Sequence, residues 1–297
     1  MSLTAFASAK INLYLHVGAP GPDGYHALSS LMVFADVGDH MSVEAADSLG
    51  IQIDGPFSPA LLEQDIGANL VTQAVYKILA AAGGPVPPFR LLLNKVLPIG
   101  AGLGGGSSDA GSTLRLLRDA LSLRISDQAL QDMAASLGAD GAPCLWGRPV
   151  IAQGRGEQIR FVEGLPTLHA VLVNPGVVCS TGAVFAAYDA LGAPGDDWVP
   201  DLESSFASFD EMAALLSYCR NDLEAPAIGL CPEIAEVLAA LRLEPETLLA
   251  RMSGSGATCF ALCASDMEAQ GLAQKLERLQ PNWWVRACRL GGPWLNQ

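Results

Sequence analysis

Residues 98–111 read PIGAGLGGGSSDAG, and residue types of this kind leave the main chain bare. Glycine stands at positions 100, 102, 104, 105 and 106, with Ser107 and Ser108 directly behind. Consecutive glycines let successive N–H groups converge on an anion, and a helix starting just after them adds the positive end of its dipole. The chemistry such a stretch offers is a cradle for phosphate; a glycine-rich surface turn is the plain alternative. Two better-known phosphate fingerprints come close and fail. Gly100, Gly102 and Gly105 satisfy G-x-G-x-x-G, but that pattern should open the first βαβ unit, with an acidic residue about twenty positions on at the end of the next strand. Here it sits behind Pro98, and the residues after it read as helix. The P-loop pattern needs a lysine before its hydroxyl residue, and Ser107 and Ser108 come after glycine instead.

The elements that must hold this loop are legible on both sides. Behind it, Ala110, Leu114, Leu117 and Leu121 recur at helical spacing, with Ser107 or Ser108 able to cap the start and Asp109 suited to the first turn. In front of it, FRLLLNKVLP reads as a strand and ANLVTQAVYKILAAAG as a helix stopped by Gly83. Nearer the start, KINLYLHV alternates without a fault, placing Ile11, Leu13, Leu15 and Val17 on a buried side and Lys10, Asn12, Tyr14 and His16 on the other. Pro22, Asp23 and Gly24 then reverse the chain. Further strands are LSSLMVFADV, MSVEA and IQIDG, the last two read as members of an antiparallel sheet. Beyond the loop, Ser126 caps a helix running toward Leu137, GADGAP turns the chain, and PVIAQGRGEQIRFV returns to strand. The second half opens with the strand LHAVLVNPG, continues through helices in TGAVFAAYDAL, FDEMAALLSYC and PEIAEVLAALRL, and ends on a loop MSGSGAT, the strand CFALC, a helix around Lys275 and the strand WWVRACRL. The order is α+β, and 297 residues favour two domains; we set them at 1–154 and 155–297, with a Gly-Leu-Pro hinge just beyond the boundary at 164–166.

Composition narrows the function. The net charge is −14, and the lysines are Lys10, Lys77, Lys95 and Lys275. Such a chain repels nucleic acid, and a small anionic ligand would need a local concentration of positive charge. Cys144, Cys179, Cys219, Cys231, Cys259, Cys263 and Cys288 form no C-x-x-C pair and read as reduced, mostly buried thiols. His16, His26, His40 and His169 show no metal-ligand spacing. No run of eighteen apolar residues suggests a membrane span, and no basic leader precedes the first strand, so the expectation is a cytoplasmic protein.

Five segments, in order, carry a resemblance: AKINLYLHV and GPDGYH near the start, NKVLPIGAGLGGGSSDAG in the middle, GADGAP after it, and MSGSGATCFAL near the end. The glycine stretch resembles the P-x-x-x-G-L-[GS]-S-S motif of the kinase superfamily named for galactokinase, homoserine kinase, mevalonate kinase and phosphomevalonate kinase, the GHMP kinases. The ordered set resembles the branch that phosphorylates the 2-hydroxyl of a cytidine-diphosphate-linked methylerythritol in non-mevalonate isoprenoid synthesis. The resemblance implies a two-domain fold, with an ATP-binding domain carrying an unusual left-handed βαβ element, a ferredoxin-like second domain, and substrate in the cleft between. It implies ATP and Mg²⁺ as cofactors and a cytidylated polyol as partner, with neither nucleic acid nor membrane; it leaves the oligomeric state and the metal ligands open.

The resemblance also implies roles residue by residue. Pro98, Ile99, Gly100, Ala101, Gly102, Leu103, Gly104, Gly105, Gly106, Ser107 and Ser108 match the cradle for ATP phosphates, with the serines also able to touch the metal. Asp140 matches the family's general base; by residue type alone the Asp-Gly turn is the favoured reading. Lys10 matches the lysine that would keep Asp140 ionised and favour the developing alkoxide, against the plain reading of a solvated strand lysine. Asn12 would contact substrate. Tyr25 and His26 stand where the family recognises cytosine, with Phe185 as the opposite wall and Thr181 lining the pocket. Asn69 and Lys95 resemble positions near the adenosine, with helix capping and strand solvation as their respective alternatives. MSGSGAT resembles the family's third motif, packed near the cradle. Two departures stand out. GADGAPCL puts Gly141 ahead of Pro143 and Cys144 where an aromatic is common, which leaves the stiffness of that loop open. Asp109 comes after the paired serines and adds negative charge near ATP. Two alternatives remain: a kinase of the same superfamily for another small alcohol, such as homoserine or mevalonate, or a nicotinamide-binding oxidoreductase.

Overall fold

A computed structural model describes residues 3–22, 24–63, 67–192 and 209–294. Asp23, expected to take part in a chain reversal, lies outside them.

The first two strands, β1 (Leu3–Pro20) and β2 (His26–Ala45), form a long antiparallel hairpin whose register shifts between Ser8 and Lys10 and again between Asn12 and Tyr14. The sequence pattern suggests separate strands at 28–37 and 41–45, with Gly38–His40 between them as a break. The break is absent because β1 pairs straight across it, Ala7 opposite Asp39 and Ser8 opposite Gly38. A neighbouring strand outweighs local turn propensity. The alternation in β1 also suggests one solvent face, yet Lys10, Asn12, Tyr14 and His16 are all buried. Groups from elsewhere in the chain meet that face, Asp140 at Lys10, Ser30 at Asn12, Ser29 at Tyr14 and the Arg220 N–H at His16, while a returning segment pairs with the strand's edge, Leu15 N–H donating to the Arg220 carbonyl and Asp222 N–H to that of Leu15.

The chain continues through β3 (Gly50–Asp54), α1 (Ser58–Leu62), α2 (Leu70–Ala81) and β4 (Phe89–Asn94). β4 lies antiparallel to β2, whereas β3 runs parallel to β4, which corrects the antiparallel expectation. The two intervening helices supply the crossover that a parallel pair requires. After the glycine loop come α3 (Gly105–Ala120), α4 (Asp127–Ala135) and α5 (Gly141–Trp146), then the hairpin of β5 (Val150–Gly154) and β6 (Gln158–Phe161), whose first strand lies antiparallel to residues 28–32 of β2. Leu114 and Leu117 of α3 pack with Val71, Val75 and Ile78 of α2 over Leu91 and Leu93 of β4. That burial holds the base of the loop's helix.

The second half comprises β7 (Leu168–Asn174), α6 (Thr181–Ala190), α7 (Phe209–Tyr218), α8 (Glu224–Leu230), α9 (Glu233–Arg242), β8 (Leu249–Met252), β9 (Cys259–Cys263), α10 (Asp266–Leu279) and β10 (Trp284–Gly291). Its strands lie in the order β10-β7-β9-β8, antiparallel throughout. This is the ferredoxin-like arrangement. β10 also pairs with β2 through Leu290 and Gly291, joining the two halves in one sheet. The sequence pattern does not separate α1, α5, α8 or β8, each of them short.

Candidate active site

Gly104 opens α3 in a left-handed conformation, φ 60°, with no side chain capping the helix. The residue types favour Ser107 or Ser108 as the cap and Asp109 in the first turn; instead the serines sit inside the first turn and Asp109 one position past it. The reason is that glycine alone adopts the positive φ needed here without strain, so the helix starts earlier than its hydroxyl residues. The loop is held to its surroundings through its carbonyls. Leu103 O accepts from Lys10 N–H at 2.8 Å, Ala101 O from Thr258 N–H at 3.1 Å, and Gly102 O from the Ser253 hydroxyl at 3.0 Å. Among the described residues, nothing accepts from the N–H groups of Gly104, Gly105, Gly106 or Ser107. Four donors at a helix N-terminus therefore face the cavity unclaimed, as an anion site requires. The 252–258 loop closes over them from the other half. A Cβ at Gly102 would lie 2.3 Å from the Ser253 carbonyl oxygen, so the two small-residue loops touch backbone to backbone.

Lys10 projects from β1 beside this loop, and its Nζ donates to Asp140 Oδ2 at 2.8 Å. The lysine side chain is 4% exposed and that of Asp140 32%. Asp140 is the residue ahead of α5, but its carboxylate caps nothing; it points to Lys10 instead. The GADGAP stretch, expected to be a turn, thus begins a helix. Gly141 is required there because a Cβ would meet the Ala134 carbonyl oxygen at 1.8 Å, and Cys144 packs beneath the glycine loop with burial pushing its thiol up to about 12. Two residues along β1, Asn12 donates through Nδ2 to Ser30 Oγ at 2.7 Å while its Oδ1 is buried with no hydrogen-bond partner. An unpaired buried acceptor is costly, so it suits a group that takes a donor from a ligand.

A second cluster lies where β1 turns into β2. Tyr25 is 60% exposed, and the Arg155 guanidinium lies over its ring at 4.1 Å. His26 is buried: Nδ1 lies 2.8 Å from the Gly18 carbonyl oxygen, and Nε2 3.0 Å from Asp189 Oδ1. Its ring packs 5.5 Å from Phe185 and edge-on to Tyr188 at 5.6 Å. Phe185 and Asp189 are four residues apart and share a face of α6. Thr181, at the start of that helix, shares a 2.8 Å hydrogen bond with Ser255.

Lys95 and Asn69 line the same cavity with their polar atoms engaged. The Asn69 side chain caps α2, accepting from Val71 N–H and Thr72 N–H. Lys95, far from being solvated, is 3% exposed and donates to Asp39 Oδ2 at 2.5 Å and Asp109 Oδ2 at 2.7 Å. Asp39 also accepts from the N–H groups of Val96 and Leu97. The two carboxylates hold Lys95 charged against its burial, while burial and the neighbouring Asp39 push the Asp109 carboxyl up to about 8. The negative charge expected of Asp109 is therefore shared inside a buried triad.

One cavity of about 920 Å³ joins all of this. Its lining runs from Asn69 and Lys95, along the loop from Pro98 through Ile99 to Ser107, past Lys10, Asn12 and Asp140, to Tyr25, His26, Thr181 and Phe185. Ser108 is buried just behind it, its hydroxyl without a partner. Sequence reasoning missed Asp39, Asp189 and Arg155. Only the folded chain brings Asp189 and Arg155 to the cavity lining and sets Asp39 behind it against Lys95. Among the described residues no group of three His, Cys, Asp or Glu side chains could hold a metal ion.

Models of two protein families match: the GHMP kinases N terminal domain over residues 69–148 and the GHMP kinases C terminal domain over residues 199–282. A 4-diphosphocytidyl-2-C-methyl-D-erythritol kinase of Caulobacter sp. (strain K31) is 57% identical over 99% of this chain and all of its own length. One of Parvibaculum lavamentivorans is 42% identical, covering 98% of this chain and 99% of its own. A crystal structure of a 4-(cytidine 5'-diphospho)-2C-methyl-D-erythritol kinase superposes with a TM-score of 0.78 at 34% identity, over 98% of this chain and all of that one. A homoserine kinase from Cytophaga hutchinsonii shares the fold, with a TM-score of 0.70 at 19% identity over all of this chain and 96% of that one. With whole-length identity of this order to proteins of one name, and both halves matched by paired family models, the chain belongs to the GHMP kinase family, among its 4-diphosphocytidyl-2-C-methyl-D-erythritol kinases.

Proposed function

We propose that this enzyme transfers the γ-phosphoryl group of ATP to the 2-hydroxyl of 4-diphosphocytidyl-2-C-methyl-D-erythritol, in non-mevalonate isoprenoid synthesis. One observation carries the reading: the Lys10–Asp140 pair abuts the unclaimed amides of the glycine loop, with Lys10 N–H itself bonded to Leu103 O at 2.8 Å. Phosphoryl transfer asks a protein mainly for positioning and charge neutralisation. The N–H groups from Gly104 to Ser107 hold the phosphates, Pro98 to Leu103 shape the loop, and Asn69 and Lys95 stand at the adenosine end. Asp140 takes the proton of the 2-hydroxyl. Lys10, anchored by Asp140, stabilises the alkoxide that forms. Asn12 presents its open Oδ1 to a substrate hydroxyl, and Thr181 lines the polyol site. Tyr25 and Phe185 take the cytosine between them. The His26 ring is already committed to Gly18 and Asp189, so it serves as the base of that slot, and edge contacts to cytosine come from the main chain around it.

Mg²⁺ fits the donors present. Ser108 Oγ and Asp109 Oδ1 are buried oxygens without hydrogen-bond partners, and magnesium is commonly held by one or two protein oxygens together with phosphate. When bound it neutralises charge between the β- and γ-phosphates. The same proposal makes residues 1–154 the ATP-binding half and 155–297 the second half of the cleft. No helix among the described residues is long and apolar enough to cross a membrane; a cytoplasmic place of action belongs to the proposal. The test is a coupled assay of ADP release with ATP, Mg²⁺ and the cytidylated substrate, beside mevalonate and homoserine. Turnover confined to the cytidylated alcohol is the expected result, and equal or greater turnover of either control refutes the assignment.

A further inference from the structure

Two loops and a strand must keep one spacing if a phosphoryl group is to reach its acceptor, and Ser253 is where they join. It is fully buried, and its hydroxyl donates to the Gly102 carbonyl at 3.0 Å and accepts from Asn12 N–H at 3.2 Å. One oxygen thus ties the phosphate cradle to the strand that carries Lys10 and Asn12. A hydroxyl on so short a stem keeps its place only if the main chain on either side of it is fixed. Asn221 fixes it, from the segment RNDLE at 220–224, outside the five segments that carry the family resemblance. Its Nδ2 donates to the carbonyls of Met252 and Gly254, the residues flanking Ser253, each at 2.8 Å, and its Oδ1 accepts from Leu223 N–H at 2.9 Å. We propose that Asn221 is a positioning residue for the transfer, holding residues 252–254 so that Ser253 sets the distance between phosphate cradle and acceptor strand; the inference rests on the reaction proposed for this site.

The residue type matches the task. Two carbonyls and one N–H meet the side chain, and a primary amide offers two donors and an acceptor in one plane. An aspartate would turn an acceptor toward both carbonyls, and a serine has one proton to share between them. Asn221 is 7% exposed, so a donor lost there is a buried bond lost. The segment is anchored to β1 in its turn: Leu15 N–H donates to the Arg220 carbonyl, Asp222 N–H to that of Leu15, and Val17 N–H to Asp222 Oδ2 at 2.8 Å. Glu224 adds a second tie to the loop, accepting from Met252 N–H at 3.1 Å. Asn221 therefore stands between β1 on one side and residues 252–254 on the other, and the loop moves relative to β1 only by breaking its amide bonds. Asn221 itself is not part of the cavity lining, so its influence on the reaction passes through the loop. Misplacing reacting groups by about 1 Å costs on the order of a hundredfold in rate, which makes a spacing device of this kind consequential.

The test compares Asn221→Asp, Asn221→Ser, Ser253→Ala and the double variant Asn221→Asp with Ser253→Ala, by kcat in the coupled ADP-release assay and by calorimetric titration of each full-length protein with ADP and Mg²⁺. Asn221→Asp lowers kcat roughly ten- to a hundredfold, while the number of ADP sites per chain is unchanged and their affinity stays within about threefold of the wild type. Asn221→Ser, which keeps one donor, falls between. Because Asn221 acts through Ser253, the double variant is no slower than the slower single variant, instead of showing the product of the two losses. A wild-type kcat in Asn221→Asp, a kcat that falls only in proportion to the ADP sites, or losses that multiply in the double variant each overturn the inference and leave the reaction assignment standing. Should Asn221→Asp not fold, Asn221→Ser carries the same comparison, and failure of both to fold makes Asn221 a structural residue and overturns its positioning role. A wild type that does not turn over the cytidylated alcohol overturns the reaction and the inference together.

Discussion

Lys95→Met should destabilise the protein far more than Asp109→Asn, although both substitutions strike the same triad. Lys95 is 3% exposed and is paired with two carboxyl groups whose side chains are 0% and 2% exposed. Removing the ammonium leaves Asp39 and Asp109 facing one another in the interior. Breaking a buried ion pair from one side costs about 3–5 kcal/mol. Asp39 keeps the N–H groups of Val96 and Leu97, and Asp109 can take a proton because its carboxyl is already raised to about 8; both effects favour the lower end of that range. Asp109→Asn instead leaves one lysine against one carboxylate, with an amide oxygen still able to accept from Lys95, at a cost of about 1 kcal/mol or less. Thermal unfolding at pH 7 without nucleotide reads the difference, as a midpoint lower by roughly 6–15 °C for Lys95→Met and by a few degrees at most for Asp109→Asn. Equal losses would refute the reasoning. A Lys95→Met protein with the wild-type midpoint and a selectively raised KM for ATP would make Lys95 a nucleotide ligand instead of the anchor beneath α3.

Gly102→Ala places a methyl group 2.3 Å from the Ser253 carbonyl oxygen at a residue with φ 74°; loop contact and phosphate grip should both suffer, seen as at least a tenfold lower kcat/KM for ATP and a lowered melting point. Tyr25→Ala removes one wall of the base slot, and since stacking on an aromatic side chain is worth about 1–3 kcal/mol per base, KM for the cytidylated substrate should rise about five- to a hundredfold with KM for ATP unchanged. Asp189→Ala frees His26 and with it the spacing between Phe185 and the β1–β2 turn. Because Asp189 is half exposed the pair is worth at most about 1 kcal/mol, so the expected outcome is a KM for that substrate raised up to about fivefold with kcat preserved; a fall in kcat alone would speak against a positioning role.

The glycine loop is legible in the sequence because phosphate binding needs bare backbone, and bare backbone is written in the residue types themselves. Strong periodicity reveals α2, α3 and α9, and alternation reveals β1. What the sequence hides is decided by partners distant in the chain. The polar side of β1 is buried because Asp140, Ser30 and Arg220 meet it at Lys10, Asn12 and His16, which no local pattern announces. Gly38–His40 reads as a break and is strand because β1 pairs across it. The start of α3 is hidden because the choice between Gly104 and the serines depends on a backbone dihedral, and both residue types are good caps. Lys95 lines the same cavity as the glycine loop, but the use of its charge depends on Asp39, some fifty residues earlier.

The central claim is that Asp140, held by Lys10 against the phosphate cradle, removes the proton from the acceptor alcohol. Its most direct measurement is kcat of Asp140→Asn at saturating ATP and cytidylated substrate, with ATP affinity determined on the same preparation. The account predicts turnover lower by about two to four orders of magnitude with ATP bound as in the wild type. A folded Asp140→Asn enzyme that turns over at near the wild-type rate would contradict it.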